Sequence, residues 1–309
     1  MPHPFHLGCS PCPPFDPPAH DSYRRWRDAK LEGYPAGADA LMVELRTPGR
    51  PTSAERTEIK RLCCKANMAF YAAPPLPGKG KLRSFAGLFG LRNLDTNVLA
   101  DDDGISSIAV VADATVRSDM RQRYIPYTDR PISWHTDGYY NPPHRLVRGM
   151  ILHCVAPAVA GGVNAVLDPE ILYIRLRDES AGMVAALSRP DSMTIPANAD
   201  DARPDQTGSV FSYDPRDNSL HMRYTHRTHS ITWHAGARSA ALRLRAILET
   251  EDVSYIFRHR LESGQGLICN NVLHTRTAFR DDPHHRRLFY RARFLERIEG
   301  CRPRETSPA

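Results

Sequence analysis

No stretch of this chain is apolar for anything near the roughly 18 residues that a membrane-spanning helix needs. Its first residues, MPHPFHLGCSPCPP, lack a basic region followed by an apolar one. Neither a membrane span nor a secretory leader is expected, and a cytoplasmic location is. Leu7, Gly8 and Cys9 look like a lipoprotein cleavage site, but nothing apolar precedes them. Cysteines are few and odd in number, seven in 309 residues, which argues for free thiols over a disulfide framework. Cys154 and Cys269 stand in apolar, strand-like surroundings and Cys63 and Cys64 in a helical pattern, so all four read as small buried hydrophobes. Lysine is scarce, at five of the 41 basic residues, and the arginines are scattered instead of forming a stripe interleaved with aromatics. Nucleic-acid binding is therefore not expected. The net charge of +6 and a sequence pI near 9.0 would still draw small anions.

At 41% hydrophobic residues the chain can bury a large core. Residues 1–22 carry prolines at 2, 4, 11, 13, 14, 17 and 18 and read as a flexible tail. In that tail His3, His6, Cys9 and Cys12 recur every third residue, a donor set that suits zinc, but the proline density favours disorder. Residues 41–46 form a short strand. Thr52 and Glu55 make a capping box for a helix whose Ile59, Leu62, Cys63, Ala66 and Phe70 keep helical spacing. PPLPGKGKLRSF reads as loop, DDDG at 101–104 as a turn, and ISSIAVVADA as a strand. Further strands are expected near 148–155 and 162–167, helices near 169–188 and 237–250, and a hairpin in FSYDPRDNSLHMRYT. Asp168 before Pro169 is a helix start, since aspartate caps well and proline suits the first helical position. Many short strands interrupted by a few helices predict a mainly β fold with helical insertions, a double-stranded β-helix or jelly roll.

Two segments carry the chemistry. In WHTDGYYN, His135 stands two residues before Asp137, and side chains two apart on a strand share a face, so both can reach one ion. In ICNNVLHTRTAF, His274 would complete a facial set of two imidazoles and a carboxylate. That set leaves coordination positions open, as in non-heme Fe(II) oxygenases and unlike closed structural zinc sites. An HxD pair alone arises readily by chance among 14 histidines and 35 acidic residues. What adds to it is Arg287 in the strand-like RLFYRARF. Period two puts Arg287, Phe289, Arg291 and Arg293 on one face, and arginines facing a barrel interior need anions. An arginine can fork onto a carboxylate.

The segments ISWHTDGYYNPP, GMILHCVAPAVAGGVNAVLDPEIL, RYTHRTHSITW and GQGLICNNVLHTRTAFRDDPHHRRLFYRARF span about residues 105–295. In order and spacing the chain resembles the taurine dioxygenase and γ-butyrobetaine hydroxylase superfamily of Fe(II)/2-oxoglutarate-dependent oxygenases. The resemblance implies Fe(II) on His135, Asp137 and His274, with 2-oxoglutarate as cosubstrate and O2 as oxidant. It implies that Arg287 takes the distal carboxylate, that Arg291 serves the cosubstrate or an anionic substrate group, and that Asn164 stands where the family pattern has a threonine on that carboxylate. A metal carboxylate at Asp137 speaks against halogenation, because related halogenases replace it with a small residue. Gly138, Tyr139, Tyr140, Asn141, Tyr224 and Arg276 are candidate substrate residues, with Trp134 and Trp233 as nearby aromatics. Core packing accounts for the aromatics equally well, and Arg276 could instead orient the metal shell. The implied reaction is hydroxylation of a small polar or charged metabolite (sulfonate, betaine, phosphonate or amino-acid-like) with release of succinate and CO2. Desaturation, epimerisation or cyclisation by the same chemistry, and a non-catalytic jelly-roll binding protein, stand as alternatives. Nucleic-acid demethylases share the ligand pattern but have a much shorter gap between the aspartate and the distal histidine. The partners expected are a small-molecule substrate and, after the family, further copies of the chain. One oxygenase domain is expected over 23–300, with a core at about 105–295 and a C-terminal tail at 301–309.

Overall fold

The computed structural model describes residues 14–15, 19–47, 49–76, 78–96, 99–110, 124–199, 202–214, 216–227, 231–250 and 253–302. The four candidate zinc ligands of the N-terminal segment, His3, His6, Cys9 and Cys12, lie outside them, as do residues 111–114 of the expected ISSIAVVADA strand. No helix among the described residues is long and apolar enough to cross a membrane.

One mixed sheet, one antiparallel sheet and several helices make up the fold. The larger sheet has the order β1 (Met42–Glu44), β2 (Met68–Ala72), β14 (Gln265–Cys269), β5 (Gly149–Ala156), β17 (Leu288–Phe294) and β3 (Ser106–Ile108). The smaller runs β13 (Phe257–His259), β7 (Asn164–Leu167), β15 (Leu273–Arg276) and β4 (Ile132–His135). Within these two sheets all pairings are antiparallel except β1 with β2. Short pairs lie outside them: β6 (Ala160–Gly161) with β16 (Phe279–Arg280), and the hairpin of β10 (Phe211–Tyr213) with β11 (Leu220–Met222). A three-stranded sheet joins β12 (Thr232–Trp233), β8 (Met193–Ile195) and β9 (Gln206–Gly208).

The helices are α1 (His20–Leu31), α2 (Ser53–Ala66), α3 (Lys79–Gly87), α4 (Pro169–Glu179), α5 (Ala181–Leu187) and α6 (Arg238–Thr250). The Thr52 capping box forms as expected, with Thr52 Oγ1 accepting from the Glu55 amide at 3.2 Å and Glu55 returning the bond to the Thr52 amide at 2.6 Å. Asp168 caps α4 by accepting from the Glu170 amide at 2.9 Å. The single helical run expected over 169–188 is two helices, because Ser180 ends the first and its hydroxyl caps the second. α3 corrects the loop expected in PPLPGKGKLRSF. Leu82, Phe85 and Ala86, three and one apart, are buried, and that apolar stripe outweighs the glycines at 78 and 80.

Two apolar cores flank the smaller sheet. One packs β1, β2, β5, β14 and β17 against α2 and α3, with Phe70, Phe89 and Phe294 fully buried. The other gathers α1, α4, α5 and α6 with β8, β10 and β11 around Trp134, Leu167 and Leu273. Phe15, inside the expected tail, is buried between Trp26, Tyr173 and Tyr213. Cys63, Cys154 and Cys269 are free and buried as expected, but Cys64 is disulfide-bonded to Cys301. Free thiols were expected there, and a partner 237 residues away leaves no local trace in a sequence. The expected C-terminal tail thus begins with a residue held against α2.

Candidate metal centre

The chain crosses from the larger sheet to the smaller between β14 and β15, and the crossing turns on Asn271, whose φ of 52° is left-handed. β15 then pairs antiparallel with β4 so that His274 lies directly across from His135, and their rings stand 4.2 Å apart. Asp137 follows the end of β4. Its amide donates to Asn271 Oδ1 at 2.8 Å, while Asn271 Nδ2 donates to the Asp137 carbonyl at 2.9 Å and to the Val147 carbonyl at 2.6 Å. One left-handed asparagine therefore locks the His274 and Asp137 segments together. Ligand atoms of His135, Asp137 and His274 all come within 4.8 Å of one another, with His135 Nε2 3.8 Å from Asp137 Oδ1.

The hydrogen bonds around the three groups select their donor atoms. Nδ1 of His135 lies 2.9 Å from the Ser133 carbonyl, and Nδ1 of His274 lies 2.9 Å from the Val272 carbonyl. A carbonyl only accepts, so both Nδ1 atoms carry hydrogen and both Nε2 lone pairs are left for a metal. Burial, with His274 next, pushes His135 down to about 3, and burial lowers His274 as well, so both imidazoles are neutral. Burial alone would raise Asp137. Arg291, then Arg293, instead hold it below the usual carboxylate range. Arg291 Nη1 donates to Asp137 Oδ1 at 3.1 Å, while Asp137 Oδ2 is buried with no hydrogen-bond partner. A buried ionised carboxylate with one oxygen free of hydrogen bonds, beside two imidazole lone pairs, fits a divalent cation.

A pocket of about 400 Å³, open mouth included, leads away from the histidines. Ile108, Pro126, Ile132, Met150 and Leu152 give it apolar walls, and Asn164, Arg276, Arg287 and Arg291 its polar ones. Arg287 is 3% exposed and rests 3.8 Å from the Phe289 ring centroid, yet its Nη1 has no partner. Burial pulls its guanidinium down to about 10. Asn164 Nδ2 and Arg291 Nε are likewise buried and unpartnered. Donors thus outnumber acceptors along this pocket, which suits an anion.

The expected substrate residues divide. Tyr139 stands edge-on to His135 with ring centroids 6.5 Å apart, and Tyr140 packs edge-on to Tyr139 while accepting from Arg293 Nη1 at 3.0 Å. Gly138 and Asn141 build the turn instead. A Cβ on Gly138, at φ 68°, would come within 2.5 Å of Val147 Cγ2, and Asn141 Nδ2 closes onto the Arg145 carbonyl at 2.9 Å. Tyr224 is turned into the helical core and bonds His226, because it alternates with Thr225, the residue bridged to His135. Trp134 and Trp233 also pack against that core. Arg276 lines the pocket, but its Nη atoms donate to the carbonyls of Pro126 at 3.2 Å, Thr128 at 2.7 Å and Arg130. Asn271 and Asp95 escaped the sequence reading. Asp95 is a buried carboxylate that accepts from Arg293 Nη2 at 2.5 Å and Arg145 Nη2 at 2.6 Å. An Asn-Asn pair interrupting an apolar strand pattern was the available signal for the first, and Asp95 offers none.

Residues 28–293 match the taurine catabolism dioxygenase TauD, TfdA family. The chain belongs to that family, and with it to the Fe(II)/2-oxoglutarate-dependent dioxygenases. Solved structures share the fold at low identity. A taurine dioxygenase described as putative and α-ketoglutarate-dependent, from Burkholderia xenovorans, aligns with TM-score 0.57 and 16% identity over 82% of this chain and 88% of that one. PvcB from Pseudomonas aeruginosa gives 0.55 and 16% over 82% and 85%. An asparagine oxygenase solved with Fe(II), hydroxyasparagine and succinate gives 0.54 and 14% over 79% and 80%. No curated protein sequence matches the chain.

Proposed function

We propose that this dioxygenase hydroxylates a small polar or charged metabolite while converting 2-oxoglutarate to succinate and CO2. In this reading the two sheets are the halves of a double-stranded β-helix, and His135, Asp137 and His274 hold Fe(II) between them. The observation that carries it is the pairing of two free Nε2 lone pairs and a bare Asp137 oxygen with a pocket of unpartnered donors. Ferrous iron, when bound, supplies the Lewis-acidic, redox-active centre at which the keto acid and O2 are activated.

The chain's own residues do the positioning. Asn271 fixes Asp137 against the β14–β15 crossing, and Arg291 bonds Asp137 Oδ1 while Oδ2 has no hydrogen bond, so the Asp137 carboxylate would be free to join the two imidazoles in holding the metal. Arg287 and Asn164 donate to the distal carboxylate, and Arg291 Nε faces the cosubstrate. The apolar walls of Ile108, Met150 and Leu152 keep bulk water off the reacting carbon. Tyr139, edge-on to His135, is placed to wall the substrate's approach. A screen of sulfonates, betaines, phosphonates and amino acids, followed by succinate release from the iron-loaded protein, tests this reading. Turnover stimulated by one of these classes supports it. Absence of 2-oxoglutarate consumption with every candidate contradicts it.

A further inference from the structure

Arg276 stands two positions beyond His274. It is 4% exposed, and its guanidinium lies 4.7 Å from the centroid of the Phe279 ring. Arg287 lies 5.0 Å from the centroid of the same ring. Both guanidinium groups line the one pocket, so a single phenyl ring is shared by two buried cations. Arg276 is held by three backbone carbonyls and hydrogen-bonds no carboxylate among the described residues; Asp129 offsets its charge from farther off, by less than Arg287 opposes it, and its Nε is buried without a partner. Three carbonyl dipoles orient the group but do not cancel its charge.

We propose that Arg276 is a selectivity residue of the cosubstrate pocket: with Arg287 it forms a two-cation seat that makes the pocket prefer a 2-oxo acid bearing a second, distal carboxylate. The inference rests on the proposed function of the pocket. Two buried like charges repel one another while the pocket lacks an anion. A distal carboxylate relieves that repulsion as well as pairing with Arg287, whereas a 2-oxo acid ending in a methyl group does neither. The same side chain clamps residues 126–130, the segment leading into β4, so a purely structural role must be separated from the electrostatic one.

The separation comes from titrating Mn(II)-loaded protein by calorimetry with 2-oxoglutarate and, in parallel, with 2-oxobutyrate, which lacks the distal carboxylate. Arg276→Gln is expected to weaken 2-oxoglutarate by about tenfold and to leave 2-oxobutyrate unchanged. Raising the salt concentration should narrow the gap between wild type and variant. Arg276→Lys keeps the charge but cannot fork onto three carbonyls, and it should keep most of the discrimination, which decides the matter if the glutamine variant fails to fold. Equal weakening of both acids, or none, or loss of discrimination in Arg276→Lys, would overturn the proposal. A wild-type protein that does not prefer 2-oxoglutarate to 2-oxobutyrate would overturn the proposed cosubstrate reading itself.

Discussion

The two ends of the pocket are built on opposite plans. At the histidine end the atoms that set orientation have protein partners, while both Nε2 and Asp137 Oδ2 are left free: each Nδ1 has a carbonyl, the Asp137 backbone has Asn271, and Asp137 Oδ1 has Arg291. At the other end Arg287 Nη1, Asn164 Nδ2 and Arg291 Nε are buried with nothing to bond. The first arrangement fixes orientation in advance, so a metal bound there would meet side chains that need not reorganise. The second leaves donors at a cost of roughly 1–3 kcal/mol each, recovered when an anion arrives. Orientation is inherited from the fold, and affinity for the anion comes from groups the fold leaves unsatisfied.

Substitutions can break each end separately. The largest effect is expected at the metal: His135→Ala or Asp137→Ala should abolish 2-oxoglutarate decarboxylation, a loss on the order of a thousandfold or more, with circular dichroism unchanged. Next comes the anion end, where Arg287→Gln should raise the KM for 2-oxoglutarate by about a hundredfold while metal binding, followed by equilibrium dialysis, is unchanged. Asn271→Ala should do the reverse, weakening metal binding by about 10–100-fold with little direct effect on the cosubstrate. Asn164→Ala, removing a single neutral donor, should cost only about three- to tenfold in 2-oxoglutarate affinity. If Asn271→Ala and Arg287→Gln produced the same phenotype, the division between the ends would not hold.

A milder test lies away from both ends. His153 is buried in the larger sheet with its Nδ1 3.0 Å from Tyr71 Oη, and burial pulls it from 6.5 down to about 4. Below pH 6.5 the unfolded chain binds a proton there that the folded chain refuses, so stability should fall as pH drops from 6.5 to about 4, by at most about 3 kcal/mol. Denaturant melts of His153→Gln should show a flatter acid limb over that window.

The candidate site could be read because its residues obey local rules: His135 and Asp137 are two apart, His274 lies in β15, and Arg287 directly precedes β17. The caps at Thr52 and Asp168 were readable for the same reason, being short-range backbone chemistry. α3 was hidden because prolines and glycines mark its start more loudly than Leu82, Phe85 and Ala86 mark its face. Tyr224 looked like a pocket residue because an aromatic near a motif carries no sign of which side of a strand it occupies, and the bridge to His135 decides that. The Cys64–Cys301 bond and the Asp95 hub join positions 237 and 198 residues apart, where no local pattern exists to be read.

The most direct measurement of the central claim is an anaerobic titration of the metal-free protein with Fe(II) and 2-oxoglutarate, followed by the visible charge-transfer absorption of an iron–keto acid chelate. An oxygenase centre at His135, Asp137 and His274 should give a band that saturates at equimolar iron and cosubstrate and is missing from His274→Ala. A wild-type protein that binds iron without developing the band, or a His274→Ala variant that develops it fully, would contradict the assignment of these side chains to an oxygenase centre.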